Sequence, residues 1–121
     1  MKAIRKRNKT MDLIAAHGGE LVDCVARGDE RAELLAKSKS LRSLRLSSTS
    51  ASDVELIAVG AFSPLTGFMK QADYESVVER MRLANGVVWP IPITLPVTEE
   101  FASGLSEGEE IVLSVGEDRP V

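Results

Sequence analysis

Few residues in this chain are equipped for chemistry. Its 121 residues include one histidine, His17, and one cysteine, Cys24. A lone histidine excludes a multi-histidine metal site, and a lone cysteine excludes an internal disulfide. His17 stands beside Gly18-Gly19, and no serine and acid lie at a spacing that would complete a hydrolytic relay with it. Cys24 has only Arg27 close by in sequence and reads as a small buried hydrophobe rather than a nucleophile. Glu107, Glu109 and Glu110 alternate with Gly108 ahead of an apolar run. Without a ligand-spacing motif they read as a solvated acidic turn, not a cation site. The Gly18-Gly19 pair is too short for a dinucleotide fingerprint, and no Walker A pattern occurs. Taken residue by residue, the chain offers no catalytic site and no cofactor site.

Charge narrows the partners. Residues 1–10 carry Lys2, Arg5, Lys6, Arg7 and Lys9 with no acid, whereas the remaining residues sum to −8. Phosphate backbones demand a field of Lys and Arg, so the acidic body is a poor partner for nucleic acid. The basic decapeptide reads as a solvated, disordered tail rather than a nucleic-acid arm. It is no signal peptide either, because Asp12 and His17 interrupt the apolar stretch that should follow. The longest apolar run, Leu56 to Phe62, is far too short to span a membrane. With 44% hydrophobic residues and only 4% aromatics, the chain should fold as one soluble, cytoplasmic domain with an aliphatic core.

The elements that must position these residues are legible in outline. Gly18-Gly19 marks a turn, and a helix should start at Gly28-Asp29 with Asp29 as N-cap and end over Lys37–Ser40. Leu44 to Ser47 alternates like a short strand. Ser47 to Ser52 reads as a loop into a second helix, capped by the box Ser52-Asp53-Val54-Glu55. Val54, Ile57, Ala58 and Ala61 share a face of that helix, Leu56 and Val59 lie off it, and deep packing is expected all round. A third helix should run from Asp73, as its cap, to about Leu83, with Tyr74, Val77, Val78 and Met81 at helical spacing and Asn85-Gly86 as its stop. From Val87 to Val97 every odd position is apolar, the pattern of a strand with one buried face that includes Trp89. Pro90, Pro92 and Pro96 remove donors from one of its edges only. Thr98 should cap a short turn carrying Phe101, Ala102 and Leu105. Glu110 to Val115 reads as a strand, Gly116-Glu117-Asp118 as a hairpin turn, and Arg119-Pro120-Val121 as the start of a returning strand. That start suggests a domain incomplete at its C-terminal end, with one edge of Glu110–Val115 unpaired.

The segments His17-Gly18-Gly19-Glu20-Leu21-Val22-Asp23 and Asp53 through Gly60-Ala61-Phe62-Ser63-Pro64-Leu65-Thr66-Gly67-Phe68-Met69 resemble the N-terminal part of sulfate adenylyltransferases (ATP sulfurylases). The resemblance continues through Asp73-Tyr74, Met81 to Gly86 and Trp89 to Leu95, so that it covers residues 11–121. It implies a PUA-like fold, an α+β domain with a small β-barrel-type sheet and short flanking helices. Residues 1–10 would then be a tail outside it. In that family the full enzyme joins ATP and sulfate to give adenylyl sulfate and pyrophosphate, with magnesium. The family's nucleotide and sulfate segments, Gln-x-Arg-Asn-Pro-x-His and Gly-Arg-Asp-His-Ala-Gly, do not occur here. The resemblance therefore implies a non-catalytic domain whose partner is the catalytic domain, within an enzyme that can be a homo-oligomer. Candidate domain-interface residues are His17, Gly18, Gly19, Ser63, Pro64, Leu65, Gly67, Phe68 and Met69. For the loop from Ser63 to Met69, internal packing and an inter-domain surface remain open alternatives. Two departures bear on that contact: Ala16 stands where the family has Pro, and Thr49 where it has Arg. A free-standing PUA-like module binding RNA or protein is the second functional class.

Overall fold

A computed structural model describes residues 13–121; the basic decapeptide and Met11 lie outside them. The described chain folds as α1 (Gly28–Ser38), β1 (Arg42–Arg45), α2 (Ser48–Ala58), α3 (Gln71–Arg80), α4 (Glu99–Ser103), β2 (Ile111–Val115) and β3 (Arg119–Pro120). The expected α+β class holds, and the sheet is open, with strand order β1-β2-β3. β1 runs parallel to β2, pairing Arg42 with Ile111 through Arg45 with Ser114. β3 returns antiparallel, with Ser114 opposite Pro120 and Val115 opposite Arg119. β2 is the central strand: β1 pairs with it from Ile111 to Ser114, and β3 pairs with it only at Ser114 and Val115.

Helix starts obey local polar chemistry, but not always at the residue expected. Asp29 lies inside the first turn of α1, where its charge faces the positive end of the helix, and Arg27 holds the cap position without a side-chain bond. α2 begins well before Ser52, because Ser47 Oγ accepts from the Ser50 amide at 3.1 Å and nucleates the helix through the run read as a loop. α3 starts at Gln71, and Asp73 does not cap it. Instead Asp73 Oδ1 accepts from the Ala84 amide at 2.8 Å, pinning the following turn onto the helix. Met81, at φ 54°, ends α3 in the left-handed region. Asn85-Gly86 then shapes a tight reversal in which the Leu83 amide donates to Val87 O at 2.8 Å. Thr98 caps α4 as expected, accepting from Phe101 N at 3.1 Å.

The run from Val87 to Val97 corrects the sequence reading most. It is extended but, apart from a bridge between Arg82 and Val88, it joins no sheet. Three prolines deny it a continuous ladder on one side, and on the other it makes single bonds. Trp89 N donates to Met81 O and Met69 N donates to Ile93 O, both at 2.8 Å. The odd-numbered face survives in part: Trp89 and Ile93 are buried, whereas Ile91 and Val97 are exposed.

Those two residues join Ile57, Leu65, Val77 and Leu83 in one core, with Phe62, Phe68, Met69 and Val87 packed against it. Phe62 meets the Trp89 ring edge-on at 5.8 Å, the preferred geometry for paired aromatics. The core therefore lies between α2, α3 and the reversal after α3, not under the sheet. α2 is not deeply packed all round, since Leu56 is 37% and Val59 61% exposed. Tyr74, Val78 and Met81 likewise face outward from α3 or its cap.

Trp89, 8% exposed, is the largest side chain of this core. Trp89→Ala should cost about 3–5 kcal/mol of stability, the usual range for truncating a buried aromatic. Denaturant unfolding followed by circular dichroism measures it, and the intact protein should show blue-shifted tryptophan emission.

Candidate functional site

The structure brings together the two segments singled out in the sequence. The His17-Gly18-Gly19 turn, closed by Gly19 N donating to Ala16 O at 2.9 Å, lies against the loop that begins at Ser63. Gly18 has φ +80°, and a Cβ there would meet the Pro64 ring at 2.7 Å. Both the backbone angle and the space require glycine. His17 Nε2–H donates to the Val88 carbonyl at 2.6 Å, which fixes its tautomer, and its ring lies 6.1 Å from that of Trp89. The histidine thus acts as a strut between the turn and the core rather than as a base.

Residues 17–24 form a strap over the end of α2, fixed further along by its backbone amides. Val22 N donates to Ser63 Oγ at 2.9 Å, and Ser63 Oγ–H donates to Gly60 O at 2.7 Å. Cys24 N donates to Ala58 O at 2.9 Å, the end of α2. Gly60, at φ +83°, accepts the strap's close approach: a Cβ there would stand 2.2 Å from Val22 O. Cys24 itself is exposed, so its expected burial is corrected; the strap is held through its amide and its thiol projects outward.

Of the interface candidates, Ser63 and Leu65 are buried and Pro64, Gly67, Phe68 and Met69 are half-buried, while His17, Gly18 and Gly19 are exposed. The loop from Ser63 to Met69 therefore spends its apolar side chains largely on its own domain. Exposed apolar side chains flank the turn instead, with Leu13 72%, Ile14 96% and Leu21 69% exposed. Ala16 is half-buried, and Thr49 lies exposed in the first turn of α2.

Four of the cations meet acids in ion pairs. Arg27 meets Asp23 at 2.9 Å, Arg42 meets Glu109 at 3.3 Å, Arg45 meets Asp118 at 3.5 Å, and Lys37 pairs with Glu110. Arg42 also donates to Gly104 O at 2.7 Å, and Glu109 accepts from Ser106 N at 3.0 Å, so two of the acidic-turn residues hold the loop before β2 in place. Ionic pairs this exposed contribute about 0–1 kcal/mol each. A nucleoside triphosphate with magnesium needs unpaired cations converging on phosphate oxygens and carboxylates converging on the metal. The pairs engage Arg27, Lys37, Arg42 and Arg45 with acids rather than with one another around a common point. Among the described residues, no cluster of three or more His, Cys, Asp or Glu is placed to hold a metal ion, and no helix is long and apolar enough to cross a membrane.

Sequence reading missed a second feature. An open cleft of about 640 Å³ runs between α1 and β2, lined by apolar residues that include Leu34, Leu35, Ile111, Leu113 and Val121. At the sheet beside it, Ser43 and Ser114 share a hydroxyl hydrogen bond of 2.9 Å, and Ser114 is 1% exposed. The apolar run Ile111-Val112-Leu113 is the available signal; without knowledge of the strand order it does not reveal the cleft.

An open mixed sheet with short helices and a glycine-dependent strap define the architecture of the described residues. The chain belongs to the PUA-like domain family, whose pattern its residues 14–121 match. It is 59% identical over 97 residues to a sulfate adenylyltransferase of Nostoc punctiforme, a match covering 80% of this chain and 25% of that protein. It is 48% identical over 103 residues to a sulfate adenylyltransferase of Desulforamulus reducens, covering 85% of this chain and 26% of that protein. The chain thus spans about a quarter of the length of the curated relatives it matches. Among solved structures, a hexameric APS kinase from Thiobacillus denitrificans superposes with a TM-score of 0.81 at 35% identity, covering 90% of this chain and 22% of that one.

Gly60→Ala should be the most disruptive small substitution where the strap is seated, because it adds both backbone strain and a collision with the strap's Val22 carbonyl oxygen. Gly19→Ala meets nothing within 4 Å and should cost only the left-handed penalty of about 1–2 kcal/mol. Comparing the two unfolding midpoints checks this ordering, and amide exchange at Val22 and Cys24 should accelerate more in Gly60→Ala.

Proposed function

We propose that this chain serves as the non-catalytic PUA-like domain of a sulfate adenylyltransferase, supporting the catalytic part that joins ATP and sulfate. The observation that carries this reading is its 59% identity to such an enzyme over a segment amounting to only 25% of that enzyme's length. The chemistry agrees. Attack on the α-phosphate of ATP needs cationic donors around developing charge, and four cations of the folded body, Arg27, Lys37, Arg42 and Arg45, are already engaged with its own acids. ATP and magnesium would belong to the catalytic part. The exposed His17-Gly18-Gly19 turn, with Leu13, Ile14 and Leu21 beside it, is the face we assign to that part. Ser63 to Met69 would shape this face from beneath, so both alternatives weighed for the loop have a share. The apolar side chains give the contact its driving force. The reading carries with it a cytoplasmic setting and assembly as a homo-oligomer. The hexameric APS kinase relative supports the latter. The acidic body argues against the alternative of an RNA-binding module.

The expected outcome is no pyrophosphate release from ATP, magnesium and sulfate by this chain alone. Mixed with Nostoc punctiforme sulfate adenylyltransferase lacking its matching 97-residue segment, the chain should form a complex that releases pyrophosphate. Turnover by the isolated chain that a substitution within it abolishes, or failure of the two parts to associate, would overturn the reading.

A further inference from the structure

Helix α3 carries more apolar surface than its core contact uses. Ser76 and Val77 face inward and are buried, yet Tyr74, Val78 and Met81 are 44%, 58% and 62% exposed. Positions i, i+4 and i+7 stack these three as one stripe along the helix and its cap. The outer flank of an amphipathic helix is ordinarily polar, so such a stripe marks a contact surface. Tyr and Met are both enriched where proteins meet.

Charge at the two ends of the stripe says what covers it. Near its N-terminal end stands Glu75, exposed and oriented by Gln71 Nε2–H, which donates to Glu75 Oε1 at 2.8 Å. Just past its C-terminal end stands Arg82, exposed, which donates to Gly86 O at 3.0 Å. Neither meets an opposite charge among the described residues. An acid at one end, a base at the other and an apolar centre make a surface complementary to itself turned end for end. A two-fold axis through Val78 sets each residue beside the one equally far from Val78 in the other copy. Arg82 then meets Tyr74, where a guanidinium can rest on the ring, and lies one position from Glu75. Lys70, at the N-cap, falls past the overlap. A parallel copy would instead set Glu75 on Glu75 and Arg82 on Arg82.

We propose that α3 is a self-association surface, pairing through Tyr74, Val78 and Met81 with the α3 of a second copy that runs antiparallel to it. The contact itself rests on α3 alone; as a contact of a sulfate adenylyltransferase homo-oligomer it rests on the functional reading above. One helix face is small beside a standard interface, so the pair should be weak by itself and gain strength where other contacts hold the copies together.

Sedimentation equilibrium of the full chain from about 1 μM to about 1 mM is the test, and it should show a reversible monomer–dimer equilibrium. Val78→Asp, checked for folding by circular dichroism, should weaken the dimer at least tenfold, because the axis sets the two new carboxylates together. Leu34→Asp, on an exposed position of α1, should not. Glu75→Arg and Arg82→Glu should each weaken self-association. An equimolar mixture of those two variants should associate more tightly than either alone, since every end-to-end contact then joins opposite charges. A chain that stays monomeric throughout, a dimer that folded Val78→Asp leaves intact, or a mixture no tighter than its components would each overturn the proposal. Loss of assembly between Val78→Asp and the shortened Nostoc punctiforme enzyme would assign the stripe to the catalytic part and overturn it as well. If the unmodified two-part mixture assembles and releases pyrophosphate while the chain alone stays monomeric, the α3 proposal fails and the functional reading stands. If the chain dimerises as described but does not assemble with that enzyme, the functional reading fails and the α3 contact stands.

Discussion

The packing around Trp89 is the contact on which the remainder of this domain depends. The chain has few aromatics, so one indole must organise a mainly aliphatic core. Phe62 arrives at it from the loop after α2, Val77 and Leu83 share its cluster from α3 and the following reversal, and His17 leans on it from the strap. Its Nε1 is buried without a hydrogen-bond partner among the described residues. An unpaired indole N–H costs something of the order of 1–3 kcal/mol, which the burial of the ring and its edge-on contact with Phe62 must exceed.

From this centre the molecule divides into a well-packed half and a sparsely packed half. The first runs from Ile57 to Ile93 and contains every buried hydrophobic residue of the described chain. The second consists of α1 and the sheet, joined by ladder bonds and surface ion pairs rather than by apolar burial. Where the first half meets the strap, glycine is required at two positions for different reasons: Gly18 yields to a proline ring and Gly60 to a backbone oxygen. Such sites tolerate no side chain because the neighbour is rigid.

Local chemistry was the legible part of this sequence. The Thr98 cap, the Gly18-Gly19 turn, the strand before Gly116 and the burial of Trp89 all follow from residue types within a few positions of one another. The errors share a cause, which is that the deciding partner lies far away in sequence. Asp73 looked like a cap because its true partner, Ala84 N, is eleven residues on. Cys24 reads as a small buried hydrophobe because only Arg27 stands close to it in sequence, yet the residue is exposed. The Val87–Val97 alternation was real as a burial pattern at Trp89 and Ile93, but no strand was available to pair with it. The cleft was invisible for the same reason: it exists only because β1 and β2 meet across the whole intervening sequence. At the candidate interface, the motif residues were legible through resemblance, whereas the division into buried Ser63 and Leu65 and exposed His17 to Gly19 needed the three-dimensional structure.

The parallel pairing of β1 with β2 has a kinetic consequence. The Ser43–Ser114 hydroxyl bond joins residues 71 positions apart, whereas the bonds that shape the reversal after α3 join residues no more than eleven apart. Closing the longer loop costs about 2 kcal/mol more in chain entropy, and the return in buried apolar surface at the sheet is small. The Trp89 core should thus assemble early and the sheet late, with β1 waiting on the synthesis and ordering of nearly everything between it and β2. Until β1 arrives, β2, the one aliphatic strand of the three, lacks its ladder along that edge.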